Sequence, residues 1–465
     1  AFTMDCGAWN PIGVGIAYNT AAHLAGPYKV PHLFVEGRVV ATTKVPNAPY
    51  RGAGRPEAAL AMERAMDLIA RERGLEPAEV RRRNMVQASE MPYSTGFVYR
   101  DGEPVVYDSG DYPGALDKVL AAVGGLEAFR ARQRAARAEG RYLGIGLGCY
   151  TEGTGVGPFE GATVRLDPSG RIYVSSGACP QGQGMETIYA QIAADQWQVK
   201  PEDVIVALAD TAAIPMGFGT MASRSTVNVS AAMHVASERL RRKVFAVAGN
   251  MMECAPEDLE LRDGRVVLVG VPGKAVSFAD VARAARPGWD HHRPADVEAG
   301  MEETYYWEPP TVTWAYAAHA AIVDVDVELG RITVEHYAIA HDCGVVVNPM
   351  LAEGQIIGGA VQGLGGALLE EFHYDADGQL MTGSFMDYLL PTASDVPRIT
   401  VVHVETPSPL NPLGVKGLGE GGAISPPVAI ANAVADALSP FGAIEFNDTP
   451  VRPEQVYAAV RAARG

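Results

Sequence analysis

The sequence has no Cys-x-x-Cys pair. Its five cysteines (Cys6, Cys149, Cys179, Cys254, Cys343) are odd in number and scattered, which argues against a zinc ribbon, an iron–sulfur cage or a disulfide framework within the chain. A reducing, cytoplasmic setting is the expectation. Positive charge is in deficit: 38 Lys and Arg stand against 55 Asp and Glu, a net charge of −17. That balance argues against non-specific nucleic-acid binding. No uninterrupted apolar run reaches the ~18 residues of a membrane helix; the longest candidate, Ile356 to Leu369, is broken by glycines and Gln362. The histidines show no metal-ligand spacing, and His291-His292, in a Pro/Gly/Asp-rich stretch, reads as exposed. Neither a P-loop nor a Ser nucleophile elbow is present. No secretory signal opens the chain. The start, Ala1-Phe2-Thr3-Met4, runs straight into ordered-looking sequence and reads as a processing product or the break point of a longer polypeptide.

At 465 residues the chain has room for two or more domains, each with its own core. Residues 1–50 are punctuated by Gly and Pro, with short strand-like runs such as His32 to Thr42. Pro56 to Gly74 reads as a helix, with Pro in its first turn, Glu57 near its positive end and Gly74 after its last turn. A second helix is expected over Pro77 to Met85, and residues 112–140 look helical and charged, a solvated face. A weak internal echo follows. Gly161 to Ser176 alternates as a hairpin around Asp-Pro-Ser-Gly, and Ala320 to His336 does so around Glu-Leu-Gly-Arg. After each hairpin comes a Gly-rich segment with a glutamine that reads as opening a helix: Gln181-Gly182-Gln183-Gly184, then Glu353-Gly354-Gln355. Long helices are expected over Ser225–Asn250 and Gln355–Phe372. The reading is an α+β fold in which residues 1–145 end a first domain and 146–465 form a second. The second is built of two similar modules, about 146–300 and 301–465, with a cleft between them. Gly264 to Gly300 reads as a peripheral insertion or linker.

Four segments could carry chemistry. Gly182, Gln183 and Gly184 precede a helix, where N–H groups attract anions and glycine lets a ligand approach. A Gln side chain both donates and accepts, which suits a polar cofactor; a mere tight turn is the other reading. Gln181-Gly182-Gln183-Gly184 does not have the Gly-x-Gly-x-x-Gly form of a dinucleotide-binding turn. Thr220-Met221-Ala222-Ser223-Arg224-Ser225 sets three hydroxyls and a cation before a long helix. Ser223 or Ser225 could cap that helix, but capping does not use all three hydroxyls, so a phosphate or pterin cradle gains weight. Tyr50-Arg51-Gly52-Ala53-Gly54-Arg55-Pro56 places two Arg among small residues just before a helix, fit for an anion or for a surface ion pair. Finally, Gly414-Val415-Lys416-Gly417-Leu418-Gly419-Glu420-Gly421-Gly422 sets one carboxylate in a glycine-rich loop before an apolar segment, Ala423 to Leu438, that reads as a buried helix. Glu420 is a candidate general base if its surroundings raise its pKa, or a helix cap.

In order and spacing these motifs, together with Val-Gln-Gly-Leu-Gly after Gln355, resemble the molybdenum-binding large subunit of the xanthine oxidase family of molybdenum hydroxylases. The likeness is to the bacterial, carbon-monoxide-dehydrogenase-like type, and it extends over nearly the whole chain. The resemblance implies that Gln183 contacts an oxo ligand of the molybdenum. Thr220, Ser223 and Ser225, with the backbone of Met221, Ala222 and Arg224, would bind the phosphates of a molybdopterin dinucleotide, cytosine in bacterial relatives. Gln355 would bond the pterin, Arg51 would lie beside the metal and Glu420 would be the catalytic base. The pterin's dithiolene, not the protein, would hold the metal. The implied reaction is oxidative hydroxylation of an electron-poor C–H carbon, of an N-heterocycle or aldehyde, with water as oxygen source. Electrons would leave to 2Fe-2S and FAD partner subunits. Carbon monoxide dehydrogenases carry Cys where this chain has Gly52, and purine oxidisers carry a stacking Phe at Ala53, which argues against both substrates. The family's N-terminal portion, with a Gly-Gly-Gly-Phe-Gly segment, has no counterpart here. The expectation is the C-terminal part of a large subunit, or one half of a split subunit with a second molybdopterin-binding chain as partner. The alternative is a non-catalytic cofactor-binding or scaffolding subunit.

Overall fold

The computed structural model describes residues 1–9, 12–288 and 293–465; the His291-His292 pair falls outside the described residues. The first part is a set of elements, most of which share a buried core with the later strands over Tyr142–Thr154 and Thr313–Asp326. Strand β1 (Phe2–Asp5) pairs in parallel with β2 (Gly37–Val40), with helix α1 (Gly13–His23) between them in sequence. Helix α2 (Arg55–Arg73) begins with Pro56 in its first turn and ends at Gly74, φ 63°. Helix α3 (Pro77–Asn84) and a hairpin of β3 (Tyr93–Val98) and β4 (Pro104–Tyr107) follow. The stretch read as one charged helical region is two helices, α4 (Tyr112–Ala122) and α5 (Leu126–Ala138). They are separated at Gly124 and Gly125, whose φ values of 90° and 87° no helix accommodates.

Next come β5 (Tyr142–Thr154) and the antiparallel hairpin β6 (Glu160–Leu166) and β7 (Ile172–Ser176). Helix α6 (Met185–Trp197) then leads to β8 (Val204–Leu208), parallel to β7, and α7 (Ser225–Met252) follows. Strands β9 (Leu259–Arg262), β10 (Arg265–Leu268) and β11 (Val271–Ser277) form a small antiparallel sheet, and α8 (Phe278–Ala284) follows it. Residues 266–285 of the stretch read as a linker therefore pack into the core. Val266, Phe278 and Val281 are buried in one cluster with Leu240 and Val244 of α7, because their apolar side chains complete the far side of that long helix. After β12 (Glu302–Trp307) the hairpin pattern returns as β13 (Thr313–Asp326) and β14 (Arg331–Asp342). Helix α9 (Pro349–Leu368) leads to β15 (Arg398–Val404), parallel to β14, and α10 (Pro426–Ala437) and α11 (Pro453–Arg464) end the chain. Helix α9 begins six residues before Gln355. Asn348 caps it, its Oδ1 accepting the Leu351 N–H at 3.1 Å, and Pro349 opens it.

The echo in sequence is an echo in topology. The two four-stranded sheets run β12-β6-β7-β8 and β15-β14-β13-β5. Each consists of a hairpin, a crossover helix, a parallel strand on one side and an antiparallel strand on the other. Each takes that last strand from the other half of the chain: β5 pairs with β13, and β12 pairs with β6.

Alternating glycines on β5 explain how α10 docks. A Cβ at Gly144 would lie 2.0 Å from the Ala433 carbonyl oxygen, and one at Gly146 2.0 Å from that of Ala429. The period-2 glycines let the helix backbone rest on the strand. Helix α2 is locked to the same strand. Buried Glu63 accepts from Arg81 Nε at 2.8 Å and from the Cys149 N–H at 2.9 Å, and Arg64 Nη1 reaches Asn432 Oδ1 on α10 at 2.7 Å. The loops before α2 and before α10 are thus held against one another. Among the described residues no helix is long and apolar enough to cross a membrane.

Candidate active site

A cleft of about 1240 Å³ lies where these loops meet. Arg51, Ala53, Gln183, Thr220 through Ser225, Gln355 and Glu420 all line it. Gly52, Gly182 and Gly184 are their chain neighbours rather than lining residues.

Glu420 sits at the cleft, its side chain 14% exposed. Its Oε1 accepts the Gly52 N–H at 3.2 Å, and its Oε2 is ion-paired with Arg55 Nη1 at 3.1 Å. It makes no side-chain cap to the turn at Gly421–Ala423 or to α10, so the capping alternative is not realised. Arg55 is buried and also donates to the carbonyls of Gly52 (3.1 Å) and Gly153 (2.8 Å). Burial opposes its charge, but Glu420, with Tyr99 and Glu152, holds its pKa above the usual arginine value. Behind it, His23 Nδ1 donates to the Asn19 carbonyl at 2.7 Å, while Nε2 accepts the Gly153 N–H at 3.1 Å. Burial, then Arg55, push His23 well below the ordinary histidine range, so it is neutral.

The loop that carries Glu420 is pinned from below. Fully buried Lys416 pairs with Asp342 at 2.8 Å and donates to Thr406 Oγ1 and the Ser109 carbonyl, both at 3.2 Å. The Gly417 N–H donates to Thr154 Oγ1 at 2.9 Å. A Cβ at Gly417 would stand 1.8 Å from the Ser223 carbonyl oxygen; only glycine permits that approach.

Among the described residues Arg51 makes no ion pair. Its Nε donates to the Gly419 carbonyl at 2.6 Å and its Nη2 to Gln355 Oε1 at 3.1 Å, tying the loop before α2 to α9 and to the Glu420 loop. In that loop Ala53 takes φ 45° between Gly52 (109°) and Gly54 (93°). A left-handed alanine is strained backbone at the cleft wall.

Ala222 and Ser223 are likewise left-handed, at φ 49° and 51°. Neither Ser223 nor Ser225 caps α7, whose N-cap position is Arg224 without a side-chain bond. Ser223 Oγ instead donates to Glu152 Oε1 at 2.6 Å and accepts the Glu420 N–H at 3.0 Å. Ser225 Oγ donates to Thr220 Oγ1 at 3.2 Å, and Thr220 Oγ1 also accepts the Cys179 N–H at 3.0 Å. Gln183 Oε1 accepts the Gln181 N–H at 2.5 Å, and Gln181 Nε2 reaches the Thr220 carbonyl at 3.3 Å. The Gly-Gln-Gly and hydroxyl segments therefore form one wall. Arg224 is different: its guanidinium is buried on Glu160 (2.6 Å) and the carbonyls of Val156, Phe159 and Gly219. It holds the loop's shape, its charge taken up by Glu160.

Sequence reasoning did not reach Glu152. Its carboxyl is fully buried, with Oε2 unpartnered. Burial lifts its pKa from 4.5 to about 7, Glu420 adds to the rise, and Arg55 and the Ser223 hydroxyl oppose it. The available signal was an acid in a strand otherwise uncharged from Leu143 to Thr154.

Such a cleft, walled by glutamines, hydroxyls and glycine-rich loops around one carboxylate, suits a large polar cofactor rather than a bare metal. Among the described residues no group of His, Cys, Asp or Glu is arranged to hold a metal ion. The sequence matches the molybdopterin cofactor-binding domain over residues 120–397 and again over residues 1–85. The chain belongs to the molybdopterin-binding large subunits of the xanthine oxidase family. It is 38% identical over 455 residues to the nicotine 6-hydroxylase large subunit of Paenarthrobacter nicotinovorans, covering 95% of this chain and 54% of that one. It is 34% identical to the carbon monoxide dehydrogenase large chain of Hydrogenophaga pseudoflava, covering 94% and 55%. The structure superposes on quinoline 2-oxidoreductase from Pseudomonas putida 86 with a TM-score of 0.91 at 39% identity, covering 99% of this chain and 59% of that one. The chain thus spans about half the length of the curated relatives it matches.

Proposed function

We propose that this chain is the cofactor-binding, catalytic component of a molybdenum hydroxylase that oxidises an electron-poor C–H carbon of an N-heterocycle or aldehyde. Water is the oxygen source, and electrons pass to 2Fe-2S and FAD partner subunits. A second molybdopterin-binding chain or segment completes the site. The observation that carries the reading is Glu420 itself, a carboxylate fixed at the cleft by the Gly52 N–H and Arg55. Of its two oxygens, Oε2 is engaged by a cation, so Oε1 is the atom that takes the proton. The small Ala53 at the cleft wall leaves room for a substrate. The relatives whose names state nicotine and quinoline favour the N-heterocycle over the aldehyde.

The residues present fit a molybdopterin, with the cytosine dinucleotide as its proposed form. Thr220, Ser225 and the backbone of Met221 to Arg224 would hold its phosphates, Gln355 and Arg51 its pterin, and Gln183 would face the metal. The glycines at 182 and 184, both left-handed (φ 91° and 77°), let the backbone turn that presents Gln183 to the cleft. When bound, the cofactor supplies the redox chemistry, while the protein positions it and the substrate.

The test is Glu420→Gln in the assembled complex. Cofactor content should stay at the wild-type level while turnover falls by about 10²- to 10⁴-fold, the range for an essential acid–base group. Turnover near that of the wild type would end this assignment. A purified complex without molybdenum and pterin would instead favour a scaffolding subunit.

A further inference from the structure

Glu152 is a buried carboxyl that the proposed role of Glu420 leaves unused. Its Oε1 has one partner, the Ser223 hydroxyl, and its Oε2 has none among the described residues; the Oγ of Ser223 also accepts the Glu420 N–H, which sets the two acids side by side. Among the described residues no ion pair reaches it. Arg55 is committed to Glu420, Gly52, Gly153 and the His23 ring, and Arg51 to Gly419 and Gln355. The remaining groups facing it, Tyr99 and Tyr150, are neutral phenols held above the ordinary tyrosine pKa by burial. A fully buried carboxylate with one protein donor is costly to keep charged. Glu420, by contrast, has two donors, one of them a cation. Ser223 joins them into one unit, donating to Glu152 and accepting the backbone N–H of Glu420.

We propose that Glu152 and Glu420 share one proton, held on Glu152, whose Oε2–H donates to the Glu420 carboxylate. Glu152 is thereby the positioning residue that sets the orientation and basicity of Glu420. The pair itself needs only the geometry, while its effect on rate rests on Glu420 being the base. The burial that lifts Glu152 to about 7 places its ionisation in the neutral range. Below it the neutral acid donates to Glu420 and lowers its basicity; above it the second charge raises that basicity.

The measurement is an infrared pH titration of the assembled complex. The wild type should show a protonated-carboxyl C=O band that disappears as pH rises through about 7. Glu152→Gln should lack the band. Glu420→Gln should keep it, with a midpoint lower by about one unit or more, because the like charge is gone. In kcat/KM, a limb rising through the same pH should be present in the wild type and flat in Glu152→Gln, which carries a permanent neutral donor. A wild type without a band titrating there, a band unchanged in Glu152→Gln, or an unmoved midpoint in Glu420→Gln would overturn the pair. The last is measured without Glu152→Gln, so a failure of that variant to fold does not shield the proposal. Normal turnover in Glu420→Gln with the band present would remove Glu420 as the base and leave the pair intact. A missing band with Glu420→Gln inactive would do the reverse.

Discussion

At the scale of single residues, the site pairs a buried cation with a carboxylate at the cleft. Arg55 is 1% exposed, and its partner Glu420 lies at the cleft edge. Replacing Arg55 by Ala strands Glu420 and three other acceptors. The expected cost is about 3–5 kcal/mol of stability, as for breaking a buried pair from one side, read from urea melts. Glu152 makes a pH prediction. Its folded-state pKa is raised from 4.5 to about 7, so between those values the folded chain binds more protons than the unfolded one. Stability from this group is fully present below that window and is lost as pH rises through it. Urea melts at pH 5 and pH 8 should therefore find Glu152→Gln gaining on the wild type at the higher pH; equal differences at both would contradict the raised value. Arg51 and Glu420 were visible in sequence because glycines flank them. Glu152 was not, because an isolated acid in a strand shows its importance only when its neighbours are known.

Elements show what backbone contact demands. Helices α2 and α3, both hairpins and α6 were legible from Pro, Gly and alternation. The start of α9 was misplaced although Asn348-Pro349 is a readable cap and first turn, because Gly-Gln looked like an opening. The split between α4 and α5 rests on Gly124-Gly125, overlooked within a charged run. The packing of α10 on β5 tests the glycine argument. A methyl at Gly146 would meet the Ala429 carbonyl oxygen at 2.0 Å and push away the helix whose leading loop carries Glu420. Gly146→Ala should cost about 1–3 kcal/mol as overpacking and lower cofactor content as well. A variant with wild-type melting temperature and cofactor load would show that α10 has slack there.

Across the whole molecule, the two repeated sheets are interlocked by exchange of β5 and β12. Residues 1–300 expressed alone would lack the partners of β5, and residues 301–465 would lack those of β12. Neither piece should show a cooperative melt by circular dichroism, and mixing them should restore one. A sharp independent transition in either piece would mean that the modules fold without the exchanged strand. The same interlock assembles the cleft, whose walls come from segments far apart in the chain, near residues 51, 183, 223, 355 and 420.

By itself the sequence determined the family, the repeated hairpin-and-helix plan, and the segments that line the cleft. Each depends on short-range signals: glycine where a ligand or backbone approaches, hydroxyls and glutamine for polar contact, alternation for strands. Tertiary structure decided which side chains act together. It turned Arg224 inward to Glu160, set Arg55 rather than Arg51 against Glu420, and brought Glu152 beside Glu420 through Ser223. Those pairings join residues distant in sequence, and burial then sets which of them stays charged.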